Sequence, residues 1–381
     1  MDFDLDSQHL LLRDTVRSFA EGEIAPVAAG LDDREEFSVE LTQKMGALGL
    51  FGIVIPEEYG GQGMDYLASV IATEELARID GSQAATVTAG NSLGIGPIYY
   101  YGTEEQRRRY LPELCSGAGL WAFGLTEAGA GSDSRASATR AEEIAGGWRL
   151  HGSKIFITNA SSPISRGVTV QAVSGGEEGR PEFTCFLLEH GTPGFTATTM
   201  HGKLMWRASD TAELSFADCE VPPEAVLGSP GAGSKQMLET LDTGRLGIAA
   251  MGLGAAQGAF EAALAYAKDR RQFGRPIGAF QGVSFQLADM AMEIDHARTY
   301  LYRAAWLKDS GREFRAAAAM AKLYCTEVAG RVTDAAVQIH GGYGLMKDSA
   351  VERFYRDHRI LRIGEGTSEI QRVVISRFLG L

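Results

Sequence analysis

The change of residue pattern along the chain constrains its fold more than any other feature. Up to about residue 120 apolar side chains recur at helical spacing, and between about 121 and 230 short β-type runs alternate with turn residues. The helical pattern then returns in three long segments, near 234–270, 280–309 and 313–340. The sequence therefore predicts a mainly α fold with an inserted β domain, divided into domains at 1–120, 121–230 and 231–381.

The middle region carries five strand-like runs, at 148–150, 154–158, 168–173, 183–188 and 212–216. Turn signals separate them at Gly146-Gly147, Gly175-Gly176 and Pro193-Gly194. Short strands at this spacing are typical of an antiparallel sheet or a small barrel.

Charge and cysteine content exclude several classes of protein. Lys plus Arg number 36 and Asp plus Glu 49, and the net charge of −13 opposes binding to nucleic acid or to anionic membranes. The four cysteines form no CxxC pair, which indicates a reducing, cytoplasmic setting. The N-terminus is acidic and lacks a basic-then-apolar run, so we expect no signal peptide. The apolar stretch 246–267 contains Gln257 and Glu261, which favours a bundle helix over a membrane span.

Familiar nucleotide, metal and nucleophile motifs are absent. The run Gly252-Leu253-Gly254-Ala255-Ala256-Gln257 lacks a third glycine and lies in a helical pattern with no βαβ unit around it, which disfavours a Rossmann site. There is no P-loop and no zinc-ligand spacing, so we expect no metal. The serines at 161, 162 and 165 lack the glycines of a nucleophile elbow.

Three other segments have the composition of a ligand site. In the segment 124–133, Gly-Leu-Thr-Glu-Ala-Gly-Ala-Gly-Ser-Asp, small residues leave backbone N–H groups free to bind an anion or a ring carbonyl. In the segment 154–159, Lys-Ile-Phe-Ile-Thr-Asn, a strand can present an aromatic ring and a hydroxyl to a flat cofactor. Glu365 lies between two glycines just before a helix start, and a shielded carboxylate there could act as a base.

These segments resemble the motifs of the acyl-CoA dehydrogenase family, most closely its short-chain (butyryl-type) branch. The resemblance is nearly full length and includes further motifs at 207–211, 241–245, 269–274 and 338–342. It implies an N-terminal helical domain, a middle β-barrel domain, a C-terminal four-helix bundle and a homotetramer. It also implies an oxidoreductase of fatty acid or acyl-CoA metabolism with FAD as cofactor.

The resemblance assigns cofactor contacts by position. Residues expected around the flavin of FAD in one subunit are Phe123, Leu125, Thr126, Ser132, Phe156 and Thr158. Residues expected to reach FAD from a neighbouring subunit are Arg270, Phe273, Gln281, Gln338 and Gly342. Thr367 and Glu369 match a further contact to the flavin nucleotide.

The same resemblance implies the substrate contacts and the reaction. Ser132, Asp242 and Arg245 match contacts to the CoA part of an acyl-CoA. Glu365 matches the base that removes the α-proton, while the β-hydrogen leaves as hydride to the flavin and gives a trans-2-enoyl-CoA. In a minority branch of the family the base comes from the position of Gly244, and a glycine has no side chain that could act as a base. The implied electron acceptor is an electron-transfer flavoprotein.

Two positions depart from the family pattern. Gly364 replaces a common tyrosine just before the base, which predicts a pocket wide enough for a branched or cyclic acyl group. The alternative is that another side chain, such as Trp206, fills the gap. Ala84 stands where glutaryl-type enzymes need an arginine, which disfavours a dicarboxylate substrate.

Other hypotheses remain open at this point. The same desaturation could act on an acyl group held by a carrier protein, although the acidic chain and the Arg245 position favour CoA. An oxygen-using oxidase or monooxygenase of the same fold is disfavoured by chain length and by Glu365. A non-catalytic scaffold is disfavoured because the base and the flavin positions occur together.

Overall fold

A computed structural model describes residues 4–177 and 179–381. Residues 1–3 and 178 lie outside it, and with them Asp2 of the acidic N-terminal run.

The described N-terminal part of the chain forms seven α-helices, α1 Ser7–Phe19, α2 Ala25–Arg34, α3 Val39–Ala47, α4 Tyr66–Ala77, α5 Gly81–Ala89, α6 Gly96–Tyr101 and α7 Glu104–Cys115, with π-helical turns at Ala20–Ile24 and Gly90–Ile95. Side chains at the N-caps accept backbone N–H groups and so set the starts of five of them, at Asp6, Ser38, Asp65, Asp80 and Thr103.

The middle of the chain forms a sheet of eight strands, β1 Leu120–Gly124, β2 Arg140–Ile144, β3 Gly147–Thr158, β4 Ser165–Glu177, β5 Arg180–Glu189, β6 Phe195–Thr199, β7 Thr211–Val221 and β8 Val226–Leu227. Their hydrogen-bonded order is β6-β7-β3-β2-β4-β5-β8, with β1 beside β4. The predicted run 148–150 and the run 154–158 are two parts of the single strand β3.

Two expectations about this sheet are corrected. The sheet is mixed rather than antiparallel, because β1 and β2 both pair with β4 in parallel. The sheet is also not a closed barrel, since no ladder between described residues joins β6 to β8. The short β8 pairs only through Val226 and Leu227, so it offers too few backbone groups to close the sheet.

The three long helices predicted for the C-terminal region are confirmed. The region contains the helices α8 Gly233–Asp269, α9 Gln281–Asp309, α10 Arg315–His340, α11 Ala350–Leu361 and α12 Ser368–Phe378, and a two-stranded ribbon, β9 Arg271–Gln272 and β10 Arg275–Pro276. Helices α8, α9 and α10 pack against one another, and α8 also packs on α4 of the N-terminal domain. The α8–α4 contact therefore connects the two helical domains.

Glycines on α8 allow that contact to be close. A Cβ atom at Gly254 would lie 2.3 Å from the carbonyl oxygen of Glu74 on α4, and one at Gly258 would lie 2.1 Å from that of Arg78. The motif Gly252–Gln257 thus lies inside a helix, as predicted, and serves helix packing. Helix α8 is long and apolar enough to cross a membrane by length and composition, but 67% of that window is buried inside the protein, and a buried core helix meets the same criterion.

We expect Gly254→Ala to lower the free energy of unfolding by about 2 kcal/mol, because the added methyl group must push two helix backbones apart. Urea denaturation followed by circular dichroism would measure the change. Gly22→Ala is the matched control, since a Cβ at Gly22 would meet nothing within 4 Å. Equal stability of the two variants would contradict this account of the α4–α8 contact.

Candidate active site

Glu365 lies in the short loop that joins α11 to α12. Its backbone is left-handed, with φ +51°, and Gly366 follows with φ +91°. A non-glycine residue rarely adopts this conformation, so the surrounding contacts must hold it there. Helix α12 begins directly afterwards, where Thr367 Oγ1 accepts the N–H of Ile370 at 3.3 Å.

The carboxyl group of Glu365 packs against α8 at Gly244. A Cβ atom at Gly244 would lie 2.0 Å from Glu365 Oε2, so only glycine leaves room for this placement of the carboxyl group. Oε2 is shielded from solvent and has no hydrogen-bond partner among the described residues. Burial raises the pKa of Glu365 to about 7, against the opposing charges of Lys322 and Arg245.

Arg245 and Asp242, one turn apart on α8, form a buried ion pair beside this carboxyl group. Burial lowers the pKa of Arg245 and raises the pKa of Asp242. Arg245 Nε is buried and has no partner among the described residues, so the guanidinium keeps a donor for a ligand.

A cavity of about 330 Å³ runs between α4, α5, α6 and α8, and Asp242 lies in its wall. Its lining includes the side chains of Tyr66, Tyr100 and Lys308, and Lys308 Nζ donates to Thr243 Oγ1 at 3.1 Å. Burial lowers the pKa of Lys308 to about 8. The cavity is thus bounded partly by polar groups, beside the face of α8 that carries Gly244.

The structure brings the segments 124–133 and 154–159 together. The N–H of Ile155 donates to the carbonyl oxygen of Thr126 at 2.9 Å. The fully buried Lys154 donates to Glu127 Oε1 at 2.7 Å and to the carbonyl oxygen of Leu125 at 3.1 Å. Hydrogen bonds from Lys154 and Ser137 lower the pKa of Glu127 to about 2, although burial opposes this, and burial lowers the pKa of Lys154.

Phe156 lies beside this junction with its backbone at φ +62° and its side chain 63% exposed. Phe123 is buried at the end of β1, Leu125 and Thr126 follow it half-buried, and Thr158 ends β3. Ser132 is exposed in the loop after β1.

The predicted neighbour-subunit contacts form a separate group at one end of α8 and α10. Arg270 and Gly342 line a surface cleft of about 440 Å³, where Arg270 lies over the ring of Tyr343 and His340 stacks on Tyr266. Phe273 is 94% exposed, and Gln281 and Gln338 are exposed as well. Among the described residues, no hydrogen bond or ring contact links this group to the group around Phe156.

Gly364 has free space beside it. The three heavy atoms nearest to a Cβ atom built there all belong to Ile360, at 3.6 to 3.8 Å. Trp206 packs elsewhere, since its backbone N–H donates to Asp357 Oδ1 at 2.8 Å and its ring lies against Gly81.

Ala84 is fully buried in α5. Glu369 is exposed in the first turn of α12, where backbone and Thr367 hydrogen bonds lower its pKa.

Sequence reasoning missed three buried side chains that shape the site, Lys154, Lys322 and Gln371. Lys322 and Gln371 are fully buried beside the Glu365 loop, and Lys154 supports the loop after β1. The lysine within the apolar run 317–323 of α10 was the available signal for Lys322.

Within the ranges 4–177 and 179–381, no group of three His, Cys, Asp or Glu side chains could hold a metal ion.

The chain thus combines two helical regions that flank a sheet with a shielded glutamate that lies between α8 and the start of α12. The family models named acyl-CoA dehydrogenase N-terminal, middle and C-terminal domain match residues 6–118, 122–219 and 231–380. The chain belongs to the acyl-CoA dehydrogenase family.

Relatives of similar length support this membership. The chain is 48% identical to the probable acyl-CoA dehydrogenase YngJ of Bacillus subtilis, over 100% of both chains. It is 44% identical to the short-chain specific acyl-CoA dehydrogenase of Clostridium acetobutylicum, over 99% of both. The structure of butyryl-CoA dehydrogenase from Megasphaera elsdenii matches with a TM-score of 0.97 and 41% identity, over 100% of both chains.

Other similar structures differ in what they bind or act on. A chain in the structure of the electron transferring flavoprotein of Acidaminococcus fermentans matches with a TM-score of 0.96 and 44% identity, over 100% of this chain and 99% of that one. A glutaryl-CoA dehydrogenase of Mycobacterium smegmatis in complex with FADH2 matches at 0.94 and 30%, over 98% and 95%. The prolyl acyl carrier protein oxidase AnaB matches at 0.93 and 33%, over 99% and 100%.

Proposed function

We propose that the protein catalyses the FAD-dependent α,β-dehydrogenation of a short-chain or otherwise compact acyl-CoA to the trans-2-enoyl-CoA, with Glu365 as the base. One observation carries the proposal: the Glu365 carboxyl group is shielded, its Oε2 lacks a partner among the described residues, and its pKa is raised to about 7. A carboxylate with a pKa near neutrality is suited to take a weakly acidic proton at physiological pH.

The residues present fit FAD. The exposed ring of Phe156 offers a flat apolar surface to an isoalloxazine ring, and the half-buried Thr126 and Thr158 belong to the same junction of segments. The cleft with Arg270 offers a guanidinium to a diphosphate. When bound, FAD supplies the hydride acceptor for the β-hydrogen of the substrate.

The chain's own residues supply position and proton transfer. We infer that Glu365 takes the α-proton of the thioester on its free Oε2. The backbone N–H of Glu365 has no acceptor among the described residues, so it can donate to the thioester carbonyl oxygen as negative charge develops there. Arg245, paired with Asp242 and with Nε free, is placed to bind the CoA part of the substrate. Ser132, exposed near the loop that carries Thr126, is proposed as a second contact to CoA.

The FAD contacts near Arg270 require a second copy of the chain. These residues are exposed and separate from the group around Phe156, and Phe273 at 94% exposure is an apolar side chain that a partner copy would cover. We therefore propose a homotetramer in which Arg270, Phe273, Gln281, Gln338 and Gly342 reach FAD in a neighbouring subunit. An electron-transfer flavoprotein is the proposed acceptor, which the similarity to the A. fermentans chain supports.

A second candidate function is the same desaturation on an acyl group held by a carrier protein. The similarity to a prolyl acyl carrier protein oxidase favours considering it. The Arg245–Asp242 pair favours the CoA form, because these two positions match contacts to the CoA part of the substrate in the acyl-CoA dehydrogenase family.

Anaerobic titration of the purified protein with straight, branched and cyclic acyl-CoA thioesters tests the proposal. We expect the flavin absorbance to bleach within the mixing time for one compact class. The absence of bleaching by every thioester, with FAD bound, would contradict the acyl-CoA function, and bleaching by the carrier-bound thioester alone would establish the second candidate.

A further inference from the structure

The loop that carries Glu365 is held through its carbonyl oxygens by two buried side chains. Lys322 Nζ on α10 donates to the carbonyl oxygen of Gly366 at 2.6 Å. Gln371 Nε2 on α12 donates to the carbonyl oxygens of Gly366 at 3.0 Å and Glu365 at 3.3 Å. Because both side chains are fully buried, these hydrogen bonds are protected from competition with water.

Helix α10 also holds both flanks of the loop. Glu327 accepts a hydrogen bond from Ser368 Oγ at 2.9 Å and forms an ion pair with Arg362 at 3.2 Å. The Arg362 side chain lies directly over Gly330. Helix α10 therefore contacts the loop at both ends and at Gly366, and Lys322 makes the contact next to the base.

A buried ammonium group needs a compensating role. Burial disfavours the charged form of Lys322, and together with repulsion from Arg245 it lowers the pKa of Lys322 to about 8. Attraction to Glu365, Glu327 and Glu369 acts in the opposite direction. Only one hydrogen bond of Lys322 Nζ is found among the described residues, the bond to Gly366, and its charge faces the Glu365 carboxyl group. A neutral side chain would fill the same space without these costs.

We propose that Lys322 is the positioning residue for Glu365: its ammonium group fixes the Gly366 carbonyl and so holds the left-handed backbone that directs the carboxyl group toward Gly244. This inference rests on the proposed role of Glu365 as the base. Gln371 fixes the Gly366 carbonyl oxygen as well, together with that of Glu365, from α12, while Oε2 of Glu365 keeps no hydrogen-bond partner among the described residues.

Lys322→Met tests the proposal, because it keeps the length of the side chain and removes the charge and the donor. We expect kcat to fall roughly 100-fold, since a small displacement of a catalytic group has an effect of this size. We expect the acid limb of the wild-type pH profile near pH 7, and in Lys322→Met it should move to higher pH by about one unit, because loss of a nearby cation raises the pKa of a carboxyl group. Lys322→Arg should keep the limb near its wild-type position.

Lys203→Met is the matched control. Lys203 is a lysine of the middle region whose pKa burial also lowers to about 8, and it donates to Thr211 Oγ1 at 2.9 Å, away from the loop. We expect Lys203→Met to lower the free energy of unfolding and to leave the acid limb of the pH profile at its wild-type position. Both variants should retain bound FAD, as measured by visible absorption. A wild-type limb and kcat in Lys322→Met would overturn the inference. The role of Glu365 as the base is tested separately, by the activity of a Glu365 variant, and the acyl-CoA function is tested by the anaerobic flavin titration.

Discussion

Replacing Glu365 with glutamine should abolish reduction of the flavin by acyl-CoA while FAD stays bound. The amide has the size of the carboxyl group but cannot accept the α-proton, and loss of a general base lowers the rate by about 100-fold or more. Folding should be unaffected, because Glu365 Oε2 has no hydrogen-bond partner among the described residues. Removing the buried charge also removes its desolvation cost.

Stopped-flow absorbance under anaerobic conditions would measure this effect directly. Glu142→Gln, on the exposed part of β2, is the control for the same chemical change away from the site and should react like the wild type. Flavin reduction by Glu365→Gln at the wild-type rate would show that another group takes the proton.

Gly364→Tyr should confine the enzyme to straight-chain substrates. The three heavy atoms nearest to a Cβ at Gly364 belong to Ile360, at 3.6 to 3.8 Å, so the chain can accept a side chain there. If Glu365 is the base, as proposed, a tyrosine ring beside it would occupy part of the acyl pocket. Loss of room for one or two methyl groups lowers kcat/KM by about 10- to 200-fold. We therefore expect branched and cyclic acyl-CoA thioesters to lose activity by this factor and butyryl-CoA to change little.

Competition between straight and branched thioesters, with products separated by chromatography, would give the specificity ratio of each variant. Gly364→Ala adds only the Cβ and should leave the ratio of kcat/KM for straight over branched thioesters near that of the wild type. An unchanged ratio in Gly364→Tyr would mean that the space beside Ile360 lies outside the acyl pocket.

Much of the architecture was predictable because helix periodicity and turn residues act locally. The three long helices α8, α9 and α10 and the segment of strands were found in this way. The strands β1, β2, β6 and β8 were missed, since short strands without alternation give no local signal. The expected barrel was wrong because closure depends on pairing between strands that are distant in sequence.

Spacing of motifs along the sequence was enough to identify the family and to select Glu365. Glycine at 244, with no side chain to act as a base, left Glu365 as the candidate. The position of Trp206 was not predictable in this way, because its packing on Gly81 and Asp357 involves three separate parts of the chain.

The sequence by itself determined the succession of a helical, a strand-containing and a second helical region, the family and the identity of the candidate base, since each of these is written in local patterns and their spacing. Only the tertiary structure decided what surrounds that base. The contact of Glu365 with Gly244, the bond from Lys322 to Gly366 and the shielding that raises the pKa of Glu365 all join α8, α10 and the loop before α12. The physical reason is that desolvation and charge interactions depend on distances in space, which packing sets between residues far apart in the chain.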